Sequence, residues 1–208
     1  MAAHGDHCPS FGEEFLLRAH VDFSTTLRKG KGGGVFGGLK RMMGGESLFM
    51  SVFRSGSSAA ELYLAPKLMG DILPYTLSGT ELVIQSSSYL ASTPSVQIDL
   101  GFTGFKSLFS GESLFWLTAN GSGLVMLNAF GSIYEIEVDG DYVVDTGHIV
   151  AFERSLDYSI SKANKSWAGA FFSGEGFVCQ FRGRGKVWCQ THNPGAFGRK
   201  VGGKLPPR

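Results

Sequence analysis

Only three of the 208 residues are cysteine. A count that small and odd excludes a disulfide-stapled scaffold and suits a reducing compartment. No apolar run approaches the roughly 18 residues that a membrane-spanning helix needs. The N-terminal residues include His4, Asp6, His7, Glu13 and Glu14. They lack the basic start and apolar core of a secretory signal, and the arginine-rich, acid-poor character of a mitochondrial presequence. A cytoplasmic protein is therefore expected. Helical periodicity sustained over a dozen residues is also missing, which leaves a chain that is nearly all β. The formal net charge of only +1 argues against a protein built as a whole to grip a polyanion.

What the chain has in abundance is glycine, 30 residues, as many short strands joined by tight turns require. Its 43% apolar composition suffices for a substantial core. One stretch recurs three times: Gly44-Gly45-Glu46-Ser47-Leu48-Phe49-Met50, Ser110-Gly111-Glu112-Ser113-Leu114-Phe115-Trp116 and Ser173-Gly174-Glu175-Gly176-Phe177-Val178-Cys179. So regular a recurrence implies one structural unit copied three times. Each copy is followed by a strand-like run, a glycine-containing turn and a second strand-like run. The runs span 48–53, 114–119 and 177–182, and the returns span 60–65, 124–130 and 186–192. The turns centre on Ser55-Gly56, Asn120-Gly121-Ser122-Gly123 and Gly183-Arg184-Gly185, so three hairpins are expected. Residues 141–152 also match residues 81–92 position for position, sixty apart, whereas the first unit matches this half poorly.

These patterns divide the chain into a loose lead-in (1–11), β repeats over 12–66, 67–138 and 139–193, and an irregular basic tail (194–208). Charge is unevenly spread: residues 61–160 hold 3 Lys/Arg against 12 Asp/Glu, and residues 161–208 hold 9 against 1. Opposite signs on neighbouring repeats suit head-to-tail association, though a solvated face is the commoner reason for such a pattern.

Candidate functional residues each have a structural alternative. Glu46, Glu112 and Glu175, beside Gly45, Gly111 and Gly174, fit turn carboxylates that satisfy backbone N–H groups better than acid–base groups. Asp145-Thr146-Gly147 resembles the aspartic-peptidase triplet, but a dyad needs a second carboxylate and the aligned residue is Gln85. Asp145 is instead expected to cap its turn, with Gly147 supplying a positive φ, and a hydrolase is the weakest reading. Arg182, Arg184, Lys186, Arg199 and Lys200 are possible contacts for the anionic groups of a lipid, nucleic acid or acidic protein. Nucleic acid is disfavoured, because only Trp188 and Phe197 are placed among these charges to stack bases. A three-residue loop at Gly183-Arg184-Gly185 would set Arg182 opposite Lys186 and Cys179 opposite Cys189, as facing core thiols. The intervals among His4, His7, Cys8, Cys179, Cys189 and His192 match no zinc pattern. Gly32, Gly34 and Gly37 satisfy G-x-G-x-x-G, but no strand leads in and no long helix leads out. No metal, cofactor or catalytic group is assigned.

Several runs carry a family resemblance: residues 37–49, from Gly37-Gly38-Leu39-Lys40 through Gly45-Glu46-Ser47-Leu48-Phe49; Ser86-Ser87-Ser88-Tyr89-Leu90-Ala91-Ser92; residues 143–152; and Val187-Trp188-Cys189-Gln190-Thr191. They resemble the family of "altered inheritance of mitochondria protein 24" and its bacterial relatives, from about Gly30 to Arg208. The resemblance implies a fold similar to the tryptophan RNA-binding attenuation protein. That fold has three small β-sandwich units of double-stranded β-helix type per chain, with three chains closing a ring. It also implies a mitochondrial, inner-membrane-associated setting for some members and no settled activity for the bacterial ones. The expected protein is a non-enzymatic homotrimer with a scaffolding or membrane-organisation role, and its other partners would be a peripheral membrane surface or a protein.

Overall fold

A computed structural model describes residues 14–18, 21–27, 49–55, 61–101, 116–162 and 177–205. The chain divides into two compact units, Met1–Lys67 with Gly104–Ser113, and Leu68–Thr103 with Leu114–Arg208. In the first, β1 (Glu14–Arg18) pairs antiparallel with β4 (Glu61–Ala65), and β2 (Val21–Leu27) with β3 (Phe49–Ser55). The two runs expected to form a hairpin across Ser55-Gly56 are not paired with each other among the described residues, and residues 56–60 lie outside those residues. Each run takes its hydrogen bonds from an earlier strand, in two separate two-stranded sheets.

The second unit is built on two long strands, β9 (Trp116–Asn128) and β13 (Phe177–Gln190). Hairpins expected at Asn120-Gly121-Ser122-Gly123 and Gly183-Arg184-Gly185 are absent, because each strand runs straight through its glycines. A two-residue reversal needs left-handed backbone at the turn and a partner in the same chain segment. Here the partner lies elsewhere: β10 (Ile133–Asp145) pairs with β13 without a break from Ile133↔Gln190 to Asp145↔Val178. Gly140 sits opposite Gly183, at φ +106° and +114°. Paired glycines let both strands bend together where a side chain would be strained.

On the other flank of β13 lie β12 (Asp157–Lys162) and β11 (Ile149–Glu153). Around β9 the arrangement is the same. β5 (Ile72–Ser78) and β6 (Leu82–Gln85) cover one flank, β8 (Val96–Gly101) and β7 (Tyr89–Ser92) the other. The register slips between Tyr89 and Ala91 on β7, and between Ile149 and Ala151 on β11. A 3-10 turn precedes each, at Ser86–Ser88 and Thr146–His148. The two assemblies join where β11 pairs with β6 through Ala151↔Ile84, Phe152↔Val83 and Glu153↔Leu82. The boundary expected between 138 and 139 falls inside β10 and corresponds to no break.

Alternation along the strands turns one side inward, and Val83, Trp116, Val138, Val144, Ile149, Phe152, Leu156, Phe181 and Val187 form a buried cluster. Phe152 is its centre, edge-on to Trp116, Tyr158 and Phe181 at centroid distances of 5.4, 4.8 and 5.0 Å. Such pairs add about 0.5–1.5 kcal/mol each beyond area burial.

The basic tail is not irregular. Residues Pro194–Gly202 form a helix, α1, whose Asn193 side chain accepts a hydrogen bond from the Ala196 N–H at 3.0 Å, with proline in the first turn. Asn at the cap and Pro at N1 together start a helix, and they outweigh the glycines that follow.

Gly70 and Gly131 form a parallel bridge at one end of the second unit. A Cβ on Gly70 would lie 2.1 Å from the Ala129 carbonyl oxygen and 2.5 Å from that of Gly131, backbone that cannot step aside. Gly70→Ala is expected to cost about 1–3 kcal/mol of overpacking. Gly198→Ala, with nothing within 4 Å of the added atom, should leave the melting temperature unchanged or raise it slightly. Thermal melts of the two variants check the contrast.

Candidate functional site: a charged ladder and the open edge beside it

Cross-strand pairing brings the acids of one sequence region onto the bases of another. Along β10 the outward residues are Glu135, Glu137, Asp139 and Asp141; along β13 they are Arg182, Arg184 and Lys186. Arg182 Nε donates to Asp141 Oδ1 at 2.8 Å, Arg184 Nε to Asp139 Oδ1 at 2.7 Å, and Lys186 Nζ lies 2.7 Å from Glu135 Oε1. The hydrogen bonds to Asp141 and Glu135 hold the Arg182 and Lys186 pKa values above their usual ones. Three of the five proposed anion contacts are thus already compensated inside the sheet. Part of the charge imbalance between sequence regions is folded into one ladder in this way. Arg199 and Lys200 lie instead on α1, exposed.

Asp145 ends β10, and its Oδ1 accepts from the Gly147 N–H at 2.8 Å, closing the 3-10 turn. Gly147 does not have the positive φ expected of it. It is glycine for closeness: a Cβ there would meet Asn193 Nδ2 at 2.1 Å. The turn is tied down by Thr146 Oγ1 donating to the Phe177 carbonyl at 2.9 Å and by Gln190 Nε2 donating to the Gly147 carbonyl at 2.9 Å. His148 Nδ1 lies 2.8 Å from the Gln190 carbonyl oxygen.

Cys179 and Cys189 do not face each other. Both lie on β13, where Cys179 is opposite Val144 and Ile160, and Cys189 opposite Tyr134 and Ile149. The continuous strand removes the loop that would have juxtaposed them. Both are free and fully buried. Burial pushes the Cys179 thiol up to about 12 and the Cys189 thiol up to about 11, with the Tyr134 hydroxyl working against the second rise. Gly45, Glu46, Gly111, Glu112, Gly174 and Glu175 lie outside the described residues.

A feature not apparent from sequence is the outer flank of β10. Its end, residues 141–145, stands in relation to β13 as β6 stands to β9. β6 is covered on its second flank by β11, whereas among the described residues β10 is paired only with β13. Leu82 and Val83 are 0% and 2% exposed, but Tyr142 and Val143, sixty positions on, are 42% and 57% exposed. The junction that covers β6 also carries an Arg154 N–H donating to the Glu81 carbonyl at 3.0 Å and an Arg154–Glu81 ion pair. A bare edge flanked by exposed apolar side chains is a template for another strand.

Fold and edge together define an all-β protein of antiparallel ladders joined strand edge to strand edge. The family model described as Mitochondrial biogenesis AIM24 matches residues 15–192, and the chain belongs to that family. It is 34% identical over 194 residues to the uncharacterised protein M6_Spy0233 of Streptococcus pyogenes serotype M6, covering 90% of this chain and 77% of that one. The crystal structure of protein SPYM3_0169 from Streptococcus pyogenes matches with a TM-score of 0.74 at 31% identity, over 91% of this chain and 84% of that one. These homologues are bacterial. Among the described residues no helix is long and apolar enough to cross a membrane.

The buried thiols give a prediction. Folding keeps each protonated, with a folded pKa raised above the ordinary value of 9.0. Their stabilising contribution is therefore whole below about pH 9 and is lost as pH climbs through about 11 and then about 12. Iodoacetamide at pH 8 should label Cys179 and Cys189 slowly in native protein and rapidly in urea. The urea midpoint should fall as pH is raised above 9. Rapid native labelling at both positions would contradict their burial.

Proposed function

We propose that the chain is a non-enzymatic, self-assembling β scaffold, built of three copies of one ladder and closing with two further chains into a ring. The single observation that carries the reading is the contrast between Val83 and Val143, 2% and 57% exposed at equivalent places on two ladders. The chain covers this edge once with its own β11, and a second copy of the same chain is the simplest cover for the other. Three occurrences of one pairing scheme support the copy number: β1 and β2 on β3 and β4, β5 and β6 on β9, and β10 on β13. In each, the first half of the leading strand region pairs with the second half of the closing one. An all-β construction, with one short helix among the described residues, fits small sandwich units of the double-stranded β-helix type. That Asp145 is engaged in holding its own turn supports a structural role for it over a hydrolytic one.

Light scattering coupled to size exclusion tests the assembly at low and high salt. The expected mass is three times the 22.4 kDa chain at both, because backbone pairing and apolar burial are weakly screened. Val143→Lys places a charge on an edge that tolerates it in the monomer but not in a paired strand, so its mass should fall with its fold intact by circular dichroism. A monomeric wild-type protein would sink the ring, and a Val143→Lys protein of undiminished mass would move the interface elsewhere.

A further inference from the structure

We propose that a cavity between the β9 and β13 ladders is a binding site for a small organic cation, a protonated amine that also carries hydroxyl groups. The cavity, about 310 Å³, lies between the start of β5 and the outward residues of β10 and β13, and is lined by Asp71, Ile72, Leu73, Ile133, Glu135 and Trp188. Strand pairing explains this make-up. Trp188 stands opposite Glu135 on β10 and Ala151 on β11, so the row of outward cations on β13 gives way to an indole beside β5. Tyr75 of β5 meets that indole edge-on, ring centroids 5.1 Å apart. Ile72, Leu73 and Ile133 add apolar walls. The volume is at the lower end of the range for small-molecule sites, enough for one sugar-sized ring.

Two observations set the ligand's chemistry. Asp71 and Glu135 bring carboxylates to the cavity, and no basic side chain lines it. One oxygen of each is already engaged: Asp71 Oδ2 accepts from the Ile133 N–H at 3.0 Å, and Glu135 Oε1 lies 2.7 Å from Lys186 Nζ. Those contacts hold both side chains in place and leave the second oxygen of each for an incoming donor. A carboxylate gains most from a donor that is itself charged. The second observation is a donor without an acceptor. Trp188 is 5% exposed, and its indole N–H makes no hydrogen bond among the described residues. Unlike the N–H of Trp116, which is sealed in the core, it can be reached from the cavity that Trp188 lines. A buried donor left unmade is costly, and a ligand oxygen would satisfy it. A carboxylate in that place would be set against Asp71 and Glu135, so a neutral hydroxyl fits. A bare metal ion is poorly served, because no group of three or more metal-ligating side chains occurs among the described residues.

Proton–nitrogen correlation spectra of the full chain test the site, with Trp188→Phe assigning the Trp188 indole signal. The probes are three pyranoses that differ in charge, glucosamine, glucose and glucuronate, at about pH 6, where the amine is protonated. Glucosamine should shift the Trp188 indole signal saturably, with a Kd of about 1 mM, as suits so small a ligand. Glucose should bind about tenfold more weakly, and glucuronate should leave the signal unmoved. Asp71→Asn keeps an acceptor for the Ile133 N–H, and Glu135→Gln keeps the side-chain length. Each should weaken glucosamine binding about tenfold, the worth of a hydrogen bond to a charged group. If Asp71→Asn disturbs signals beyond the cavity, Glu135→Gln alone gives the charge test. The absence of a saturable Trp188 shift with glucosamine overturns the proposal. So does glucose or glucuronate binding as tightly, or glucosamine binding undiminished in Glu135→Gln. The lining residues all belong to the second unit of one chain, and chain mass is read separately, so failure of this site and failure of the ring are told apart.

Discussion

The structure depends on strands long enough to be paired along both flanks, with two neighbours sharing at least one of them, and on the bend that lets them do so. β13 carries β10 along its whole length on one side and β12 with β11 on the other. A straight strand of fourteen residues could not keep both halves against a small core. Opposed glycines at 140 and 183 allow the two strands to curve together without opening the ladder. The core around Phe152, the charged outer face and the open edge all follow from that one continuous pairing.

The same pairing explains how a chain with strongly opposed charge regions reaches near neutrality locally. Adjacent strands bring residues facing one another to about 5 Å, so Asp139 and Asp141 meet Arg184 and Arg182 although more than forty residues separate them. Exposed pairs of this kind contribute little stability. Their effect is on recognition: they withdraw β13 as an anion-binding surface.

Strand positions were largely legible from residue alternation. Residues 82–84, 96–100 and 141–152 all fall on strands or the turn between them, and the sixty-residue correspondence reappears as two 3-10 turns at Ser86–Ser88 and Thr146–His148. The glycine sites at Gly121-Ser122-Gly123 and Gly183-Arg184-Gly185, read as chain reversals, were misread for a definite reason. Glycine with positive φ is needed both for a tight hairpin and for a bend in a long strand, and local sequence does not distinguish them. The helix at Pro194–Gly202 was missed although Asn193-Pro194 is a start signal, because glycine lowers helix propensity and the segment is too short for periodicity to show.

The amino-acid sequence alone determined the β class, the approximate strand positions, the turn held by Asp145 and the family, because alternation, capping residues and motif spacing are local properties of the chain. Only tertiary structure decided which strand each one pairs with, that Cys179 and Cys189 stand apart on one strand, that the arginines of β13 meet the aspartates of β10, and that Val143 is bare where Val83 is covered. A strand presents the same hydrogen-bonding groups on both flanks. Its partners are therefore chosen by burial and closure over distant segments, which no local pattern encodes.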